Sequence, residues 1–516
     1  MAARVAVTRR VSHGTPRGMK FAPISVAAAL ALAAVGLGLG CANVTAPSVT
    51  GRADSGAPTG SGGSAGAAGS IGFGGFAGSG QTGICANLQC RQDNCTRGAC
   101  AQTPCANGGK TTVSGTVFDP AGKTPLYNVV VYVPNEPLAD IASGASCDSC
   151  SSLYSGRPIA VALTDSNGNF SIEHMPVGDN IPLVIQIGKW RRAVTIPSVA
   201  ACSDTPVAPA LTRLPRNSGE GHIPKFAVAN GGSDALNCLL RKIGVDTGEF
   251  TRESGAGRVN QYAGYGAPTT NADGTAVTGT STLWGSAAAM KSYDIMLMSC
   301  EGDDDSGAGG ASLAMRQAVK DFADAGGRIF GSHWHNAWIF DGPAPWPTVA
   351  KRSSGAHGFD VDVTAMIDTT FPKGVAFADW LVNVGATPTR GQIVIRGAEH
   401  SVDAAFLPMA QQWIYGHDAD KNTPMVQYFS FNTPVGTAAE QQCGRVVMSD
   451  VHVSAFSGAD SGKQPFPNGC VTTELTAQEK ALEFMLFDLS SCVSPDSKPP
   501  PVPDVGFIGR GELVFN

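Results

Sequence analysis

The sequence predicts a multidomain protein in which an all-β sandwich precedes a larger α/β domain, both behind a disordered N-terminal tether. Short runs of β-branched residues separated by turn residues fill residues 110–213 and indicate the sandwich. Strand-like and helix-like runs alternate over residues 220–493, which is typical of a sheet covered by helices. Residues 41–84 are mostly Gly, Ser, Ala and Thr, and they cannot bury enough apolar surface to offset the entropy of folding.

The first forty residues have the pattern of an export signal. They include basic residues and no acidic one, and they end in the uncharged run ISVAAALALAAVGLGLG before Cys41. A basic start, an apolar centre and small residues at the end predict a signal peptide over residues 1–40. A cysteine at this place is typical of bacterial lipoproteins, so we predict a lipidated Cys41 and a protein at the outer membrane or cell surface. A secreted form cleaved near Cys41, an uncleaved anchor and a start at Met19 stay open.

The mature chain would be acidic. The sequence has 36 Lys plus Arg against 42 Asp plus Glu, and removing residues 1–40 leaves 31 basic residues and a net charge of −11. An acidic chain without basic runs argues against nucleic acid as a partner. The predicted partner is the membrane, through the lipid anchor, with the flexible linker holding the folded domains away from its surface.

Cysteines recur every five residues in the segment 85–109, and others follow in both domains. In an exported chain this pattern predicts disulfide bonds, whereas a zinc knuckle would need a histidine or a Cys-x2-Cys pair in that segment. The disulfide candidates are Cys85, Cys90, Cys95, Cys100, Cys105, Cys147, Cys150, Cys202, Cys443 and Cys470. For the late cysteines we expect a bond between Cys443 and Cys470 or a clamp through Cys492 after the last helix.

The predicted sandwich contains a strong turn signal, because alternating apolar residues flank Asn167-Gly168 and indicate a hairpin. Asp165 and Asn167 could belong to a calcium loop, but a turn stabilised by its own Asx side chains explains them more simply. The predicted core residues are Val113, Val117 and Val129 to Val133. The blocks VSGTVFDPAGKTPLYNVVVYV, ALTDSNGNFSIEHMPVG and VIQIGKWRR resemble the carboxypeptidase regulatory-like (transthyretin-like) domain. That resemblance implies a structural or binding module without catalysis.

The larger domain combines buried strands with amphipathic helices, which predicts a parallel sheet covered on both faces. A strand at 222–232 precedes a helix at 234–244, and Ser312 has the side chain of a helix N-cap. Residues 341–425 interrupt this rhythm and indicate an insertion over one face of the sheet. The proline-rich residues 494–516 predict an extended tail.

Three blocks of this domain resemble the class I glutamine-amidotransferase-like fold, a flavodoxin-like architecture, and especially its trehalose-utilisation-protein-like branch. They are YDIMLMSC, DAGGRIFGSHWHN and GRVVMSDVHV. The resemblance would place a nucleophilic cysteine after RIFGS, where this chain has His333 and no cysteine. His452 matches the family's catalytic histidine, but the glutamate expected two residues later is Ser454. The triad is incomplete, so no glutaminase activity is expected.

Three loops of this domain follow predicted strands, and the carboxyl ends of parallel strands meet at one edge of a sheet. Their polar side chains should therefore share a crevice. They are Glu301, Asp303, Asp304, Asp305, His333, His335, Asp450 and His452. Imidazoles with carboxylates are ligands for Zn, Fe or Mn, so His333, His335, His452, Asp450 and Asp303 are the candidate metal ligands. The first four are also the candidate catalytic residues.

Simpler interpretations of the same residues stay open. The two histidines around Trp334 could line a loop through hydrogen bonds. Cys300 is expected to be structural, because neighbouring carboxylates raise the pKa of a thiol and oppose its activation. Ser332 lacks the Gly-x-Ser-x-Gly elbow of a nucleophile.

Two functions from different classes are therefore carried forward. The favoured one is a cell-envelope binding or scaffold module for a glycan or an envelope protein, with a catalytically degenerate α/β domain. The alternative is a secreted hydrolase, with or without a divalent metal, that uses the His/Asp cluster.

Overall fold

The computed structural model describes residues 105–148, 150, 152–302, 310–354, 358–418, 422–454 and 458–502. Within these ranges no helix combines the length and the apolar character needed to cross a membrane. Several predictions fall outside them and stay predictions: the signal segment, the lipidated Cys41, the linker, and Cys85 to Cys100. Asp303, Asp304 and Asp305 also lie outside the described residues.

The first domain consists of two β-sheets that share one core. Its strands are β1 (Thr112–Thr116), β2 (Val130–Pro134), β3 (Pro158–Leu163), β4 (Asn169–Glu173), β5 (Gly178–Ile187), β6 (Trp190–Val199) and β7 (Asp204–Pro206). One sheet has the order β4-β1-β7 and the other β3-β2-β5-β6. The predicted core residues, Val113, Val117 and Val129 to Val133, are all buried.

The hairpin predicted at Asn167-Gly168 is wrong. β3 pairs with β2, whereas β4 pairs with β1 in the other sheet. The turn between them crosses from one sheet to the other, and Asp165 Oδ1 accepts the N–H groups of Asn167 and Asn169, each at 2.8 Å. Asp165 thus forms an Asx turn. A local turn signal does not determine which strand each arm pairs with, because that depends on distant residues.

The second domain is built on one large mixed sheet. Its strands are β8 (Phe226–Asn230), β9 (Phe250–Thr251), β10 (Val259–Ala263), β11 (Thr278–Gly279), β12 (Ile295–Met298), β13 (Arg328–Ser332), β14 (Ala350–Arg352), β15 (Gly358–Ile367), β16 (Gln392–Glu399), β17 (Val402–Ala405), β18 (Ala410–His417), β19 (Pro424–Thr433) and β20 (Gly444–Ser449). The order is β11-β10-β8-β12-β13-β20-β19-β18-β15-β16, with β9 beside β10 and β14 pairing only with β17. In this spatial order, neighbouring strands from β11 across to β20 pair in parallel. On the other side of β20, the strands β19, β18, β15 and β16 pair antiparallel.

The prediction of a parallel sheet is therefore correct for only one half of the sheet. Residues 341–425, predicted as an insertion over one face, are part of the sheet itself. They supply β15, β16 and β18, which extend the sheet through its antiparallel half. Buried and exposed residues alternate in much of β16, the pattern of a strand with one covered face. Such alternation is weaker in sequence than the continuous apolar run of a buried parallel strand.

The helices follow local signals more closely. They are α1 (Pro209–Thr212), α2 (Leu236–Lys242), α3 (Ser281–Trp284), α4 (Ala287–Lys291), α5 (Leu313–Asp324), α6 (Ala337–Phe340), α7 (Pro372–Asn383) and α8 (Ala477–Ser490). Ser312 caps α5 by accepting the Met315 N–H at 3.3 Å, as predicted. α8 is buried nearly all round because it packs between the two domains: its Phe487 contacts Trp190 of the sandwich and its Phe484 stacks on Tyr127.

Two disulfide bonds, Cys147–Cys443 and Cys150–Cys492, join the two domains. Within the described residues the pairs are Cys105–Cys202, Cys147–Cys443, Cys150–Cys492 and Cys238–Cys470. The predicted use of Cys105, Cys147, Cys150, Cys202, Cys443 and Cys470 in disulfides is confirmed. Of the two alternatives for the late cysteines, the Cys443–Cys470 bond is wrong and the clamp through Cys492 is confirmed. Both cysteines of the sandwich segment CDSC, Cys147 and Cys150, bond to cysteines of the α/β domain. No spacing rule could show this, because the partners are hundreds of residues away in sequence.

The start of the proline-rich tail is also part of the body. Asp496 accepts hydrogen bonds from both terminal nitrogens of the buried Arg445, at 3.1 and 2.9 Å. The first residues of the predicted tail therefore pack against β20 instead of extending from it.

Candidate functional site

The turn after β13 is a strained elbow. β13 ends at Ser332, and His333 has φ +40°, in the left-handed region that non-glycine residues seldom adopt. A short 3-10 turn, His333–Asn336, then leads into α6. Such backbone costs about 1–3 kcal/mol and is concentrated at functional sites. The resemblance described above places the family's nucleophile at this turn, but here the apex is a histidine and no Gly-x-Ser-x-Gly motif marks the elbow.

Three side chains meet at this elbow from three neighbouring parallel strands. Cys300 follows β12, His333 follows β13 and His452 follows β20. One donor atom from each lies within 4.8 Å of the others, and Cys300 Sγ is 3.6 Å from His333 Nδ1. All three residues are at most 5% exposed. Because the three strands end at the same edge of the sheet, their following residues converge.

Glu399 completes the cluster from the antiparallel half of the sheet. It ends β16, four places beyond β20 in strand order, yet its N–H reaches the Asp450 carbonyl at 3.4 Å. Its Oε2 lies 3.8 Å from His333 Nε2, and its Oε1 lies 3.9 Å from His452 Nδ1. Sequence analysis missed Glu399 because no motif marks it and the curvature of the sheet alone brings it to the site.

The surroundings of Cys300 disfavour the charged form of its thiol. Burial raises the pKa of the Cys300 thiol well above its usual range, and the carboxylates of Asp234 and Glu399 raise it further, against backbone N–H groups of Trp334 and Gly302 that donate to the sulfur. Among the described cysteines, Cys300 is the one outside a disulfide. A buried, protonated thiol is a poor nucleophile.

His452 presents a buried nitrogen that needs an explanation. Its Nε2 has no hydrogen-bond partner within the part of the chain that the structure describes. Such atoms are rare in native proteins and indicate strain, a catalytic role or an absent ion or water. In this cluster the nitrogen lies among other potential metal ligands.

Two predicted site residues have other roles. His335 Nδ1 accepts the Trp338 indole N–H at 2.9 Å, and its Nε2 donates to the Ser299 carbonyl at 3.0 Å. Both ring nitrogens are therefore used, and burial lowers the pKa of this histidine so that it stays neutral. Asp450 accepts the N–H of Ser401 at 2.7 Å and also its hydroxyl group. The structure thus joins His333 and His452 in the cluster but places His335 and Asp450 beside it.

Two further candidates also bond elsewhere. The Ser332 hydroxyl donates to Asp234 Oδ2 at 2.8 Å, which turns it away from the apex of the elbow. Glu301 Oε1 accepts the N–H of Tyr265 at 3.1 Å. The cluster that remains is a thiol, two imidazoles and one carboxylate.

No known protein family and no curated protein matches this chain. Among solved structures, a putative ThuA-like protein from Bacteroides uniformis shares 10% identity over 42% of this chain and 77% of its own, with a TM-score of 0.24. A cytoplasmic protein from Salmonella typhimurium shares 11% identity over 53% of this chain and all of its own, with a TM-score of 0.28. The IFT52 N-terminal domain shares 9% over 52% and 97%, with a TM-score of 0.29. At these scores the similarities support no conclusion about activity.

Proposed function

We propose that the α/β domain binds one transition-metal ion, Zn²⁺ in the first instance, and uses it to activate water in a hydrolase of the cell envelope. The ligand atoms would be Cys300 Sγ, His333 Nδ1 and His452 Nε2. The observation that carries the proposal is the convergence of these buried donors from three adjacent strands. Three protein ligands leave a fourth position for water, the arrangement of catalytic zinc sites.

The spacing that allows a hydrogen bond between the Cys300 sulfur and His333 Nδ1 also fits a shared ion. With Zn–S near 2.3 Å and Zn–N near 2.0 Å, tetrahedral geometry separates sulfur from nitrogen by about 3.5 Å. The Cys300 Sγ to His333 Nδ1 distance is 3.6 Å. A bound divalent ion also deprotonates a coordinating thiol, which offsets the effect of burial on Cys300.

The donor set also discriminates among metals and mechanisms. A thiolate with two imidazoles suits Zn²⁺ better than Mn²⁺, which prefers oxygen ligands. The same buried thiol is a weak candidate nucleophile, because its pKa is raised by burial and by two carboxylates. A metal-bound water near neutral pKa would supply the nucleophile instead.

The test is elemental analysis of protein exported to an oxidising compartment and purified without chelator. The variants are Cys300→Ser, His333→Ala and His452→Ala, with the exposed His417→Ala as the matched control. We expect about one zinc per chain in the wild type and the control, and a large loss in each site variant. Wild-type protein without transition metal, or variants that retain it, would refute the proposal.

The remaining parts of the chain support a place in the cell envelope. Four disulfides among the described residues favour an oxidising compartment, in agreement with the predicted signal peptide and a lipid anchor at Cys41. Labelled palmitate should enter the wild type but not Cys41→Ser. Unlabelled wild type would leave a secreted protein in place of a lipoprotein.

A binding or scaffold role is the second candidate. Two disulfides brace the sandwich against the α/β domain, which suits a rigid surface presented to a glycan or an envelope protein. If the purified wild type contains no metal, this role becomes the leading one. Binding of the intact exported chain to a glycan array would then test this role. A chain that binds no glycan on the array would leave an envelope protein as the partner.

A further inference from the structure

We infer that Glu399 is the positioning residue of this centre: its carboxylate holds both imidazoles by the ring nitrogens that face away from the metal. This inference rests on the proposed function and adds to it a residue that makes no bond to the ion. It also gives a role to Asp450, which was predicted as a ligand but lies beside the cluster.

The distances assign a separate oxygen to each ring. Oε2 of Glu399 is 3.8 Å from His333 Nε2, and Oε1 is 3.9 Å from His452 Nδ1. The nitrogens on the opposite sides are His333 Nδ1, which is 3.6 Å from the Cys300 sulfur, and the buried His452 Nε2. One carboxylate therefore faces the outer nitrogen of both rings at ion-pair range, and a small closure on metal binding would bring each oxygen within hydrogen-bond distance and set the tautomer of both rings. Metal-binding histidines usually donate their other N–H to a carboxylate or carbonyl in this way.

The charges agree with this assignment. A divalent ion with one thiolate and two neutral imidazoles carries a net charge of +1, and the carboxylate of Glu399 offsets that charge. Isolated charge is costly away from water, so a nearby counter-charge is favoured in a site where each ligand is at most 5% exposed.

Asp450 supports Glu399 through the backbone. Its carboxylate holds Ser401, two residues after Glu399, while its own carbonyl accepts the Glu399 N–H. Gln427 donates its side-chain N–H to the Glu399 carbonyl at 2.5 Å. Because Asp450 is two residues before His452, it connects the loop of that ligand to the strand end that carries Glu399.

An amide at position 399 should disturb the centre without removing a ligand. The NH₂ group of Glu399→Gln would donate to one ring nitrogen, which favours the tautomer of that ring whose N–H points at the metal. Loss of such a partner typically lowers metal affinity by about 10–100-fold. Glu399→Asp keeps both acceptors and the charge on a shorter side chain, so we expect it to restore most of the affinity.

The experiment measures Zn²⁺ affinity by chelator competition and the visible and near-ultraviolet spectrum after Co²⁺ substitution, in the intact exported chain. It compares wild type, Glu399→Gln, Glu399→Asp and, as the matched control, the exposed Glu440→Gln. We expect a 10–100-fold loss for Glu399→Gln, a smaller loss for Glu399→Asp and none for the control. The thiolate-to-cobalt band should persist in Glu399→Gln with changed ligand-field bands.

The outcomes separate the two proposals. If wild type binds neither ion, the metal centre is refuted, and the role of Glu399 with it. If wild type binds Zn²⁺ tightly and both Glu399 variants bind equally tightly with an unchanged cobalt spectrum, the metal centre stands and only the role of Glu399 is refuted. Should Glu399→Gln fail to fold, the cobalt spectrum of Glu399→Asp decides: its shorter side chain should still shift the ligand-field bands, and an unchanged spectrum would count against positioning by the carboxylate.

Discussion

Cys300 Sγ lies 3.6 Å from His333 Nδ1, although the two residues follow different strands and are separated by a helix. β12 and β13 are hydrogen-bonded neighbours in parallel register, so the residues that follow them emerge side by side. The contact is thus a direct consequence of strand order. It links the elbow histidine to the buried free thiol, and the predictions begin from it.

Native Cys300 should react slowly with alkylating reagents at neutral pH. It is 1% exposed, so a reagent cannot reach the sulfur; without metal, burial also raises the pKa of its thiol, and with metal the sulfur would be engaged as a ligand. We expect alkylation at least roughly tenfold slower in native protein than in urea, followed by peptide mass spectrometry. Rapid native labelling of this peptide, with or without a chelator, would contradict the burial.

The buried pair Asp119 and Glu483 should make the protein less stable as the pH rises. Burial raises the pKa of Asp119 from 3.8 to about 6 and that of Glu483 well above 4.5. Between the unfolded and folded values the native state binds more protons than the unfolded state, so the free energy of unfolding falls with increasing pH. Each unit by which burial raises a folded-state pKa corresponds to about 1.4 kcal/mol of stability that is lost as the pH rises through that pKa.

Glu483→Gln should therefore stabilise the protein at pH 8 and flatten its pH dependence, because the amide can donate to Asp119 without ionising. Urea unfolding at pH 5 and pH 8 measures this change. The nearby exposed Glu474→Gln serves as the control and should not alter the slope. Equal pH dependence in wild type and Glu483→Gln would show that the pair does not share a proton.

Asp450→Ala should destabilise the fold and weaken metal binding together. The change leaves the buried N–H and hydroxyl group of Ser401 without their acceptor, and a lost buried partner costs about 1–3 kcal/mol. Ser401→Ala removes only the hydroxyl and should cost about 1 kcal/mol. Urea unfolding and Zn²⁺ affinity are the measurements. Metal binding that stays at the wild-type level in Asp450→Ala would separate Asp450 from the centre.

Removal of the Cys147–Cys443 bond should destabilise the chain. The bond spans 296 residues of sequence and joins the sandwich to the α/β domain, so it restricts the unfolded chain strongly. Typical losses are about 2–4 kcal/mol, although the measured dependence on loop length is weak. The double variant Cys147→Ser/Cys443→Ser tests this by urea unfolding, with Cys105→Ser/Cys202→Ser, a bond within the first domain, for comparison. Equal stability with and without the Cys147–Cys443 bond would show that it adds nothing to packing and the remaining Cys150–Cys492 bond.

Part of the site could be predicted because the carboxyl ends of parallel strands meet. His333 and His452 were expected together on that ground, and the structure brings them together. Cys300 was considered and set aside as structural, since its sequence neighbours are acidic. Glu399 was missed entirely, because its strand lies in the antiparallel half and no local pattern shows that the sheet curves back.

Local patterns in the sequence were sufficient for several strands and helices outside residues 341–425, such as β8 and α2, and for the N-cap of α5, the use of cysteines in disulfides and the histidines after the parallel strands. These features depend on neighbouring residues, whose periodicity, capping and composition can be read directly. Only the tertiary structure decided that β4 pairs with β1 and that Cys443 bonds to Cys147. It also decided that His335 lies outside the cluster and that Glu399 lies in it. Each of these depends on strand order and direction, which arise from contacts between residues far apart in the chain.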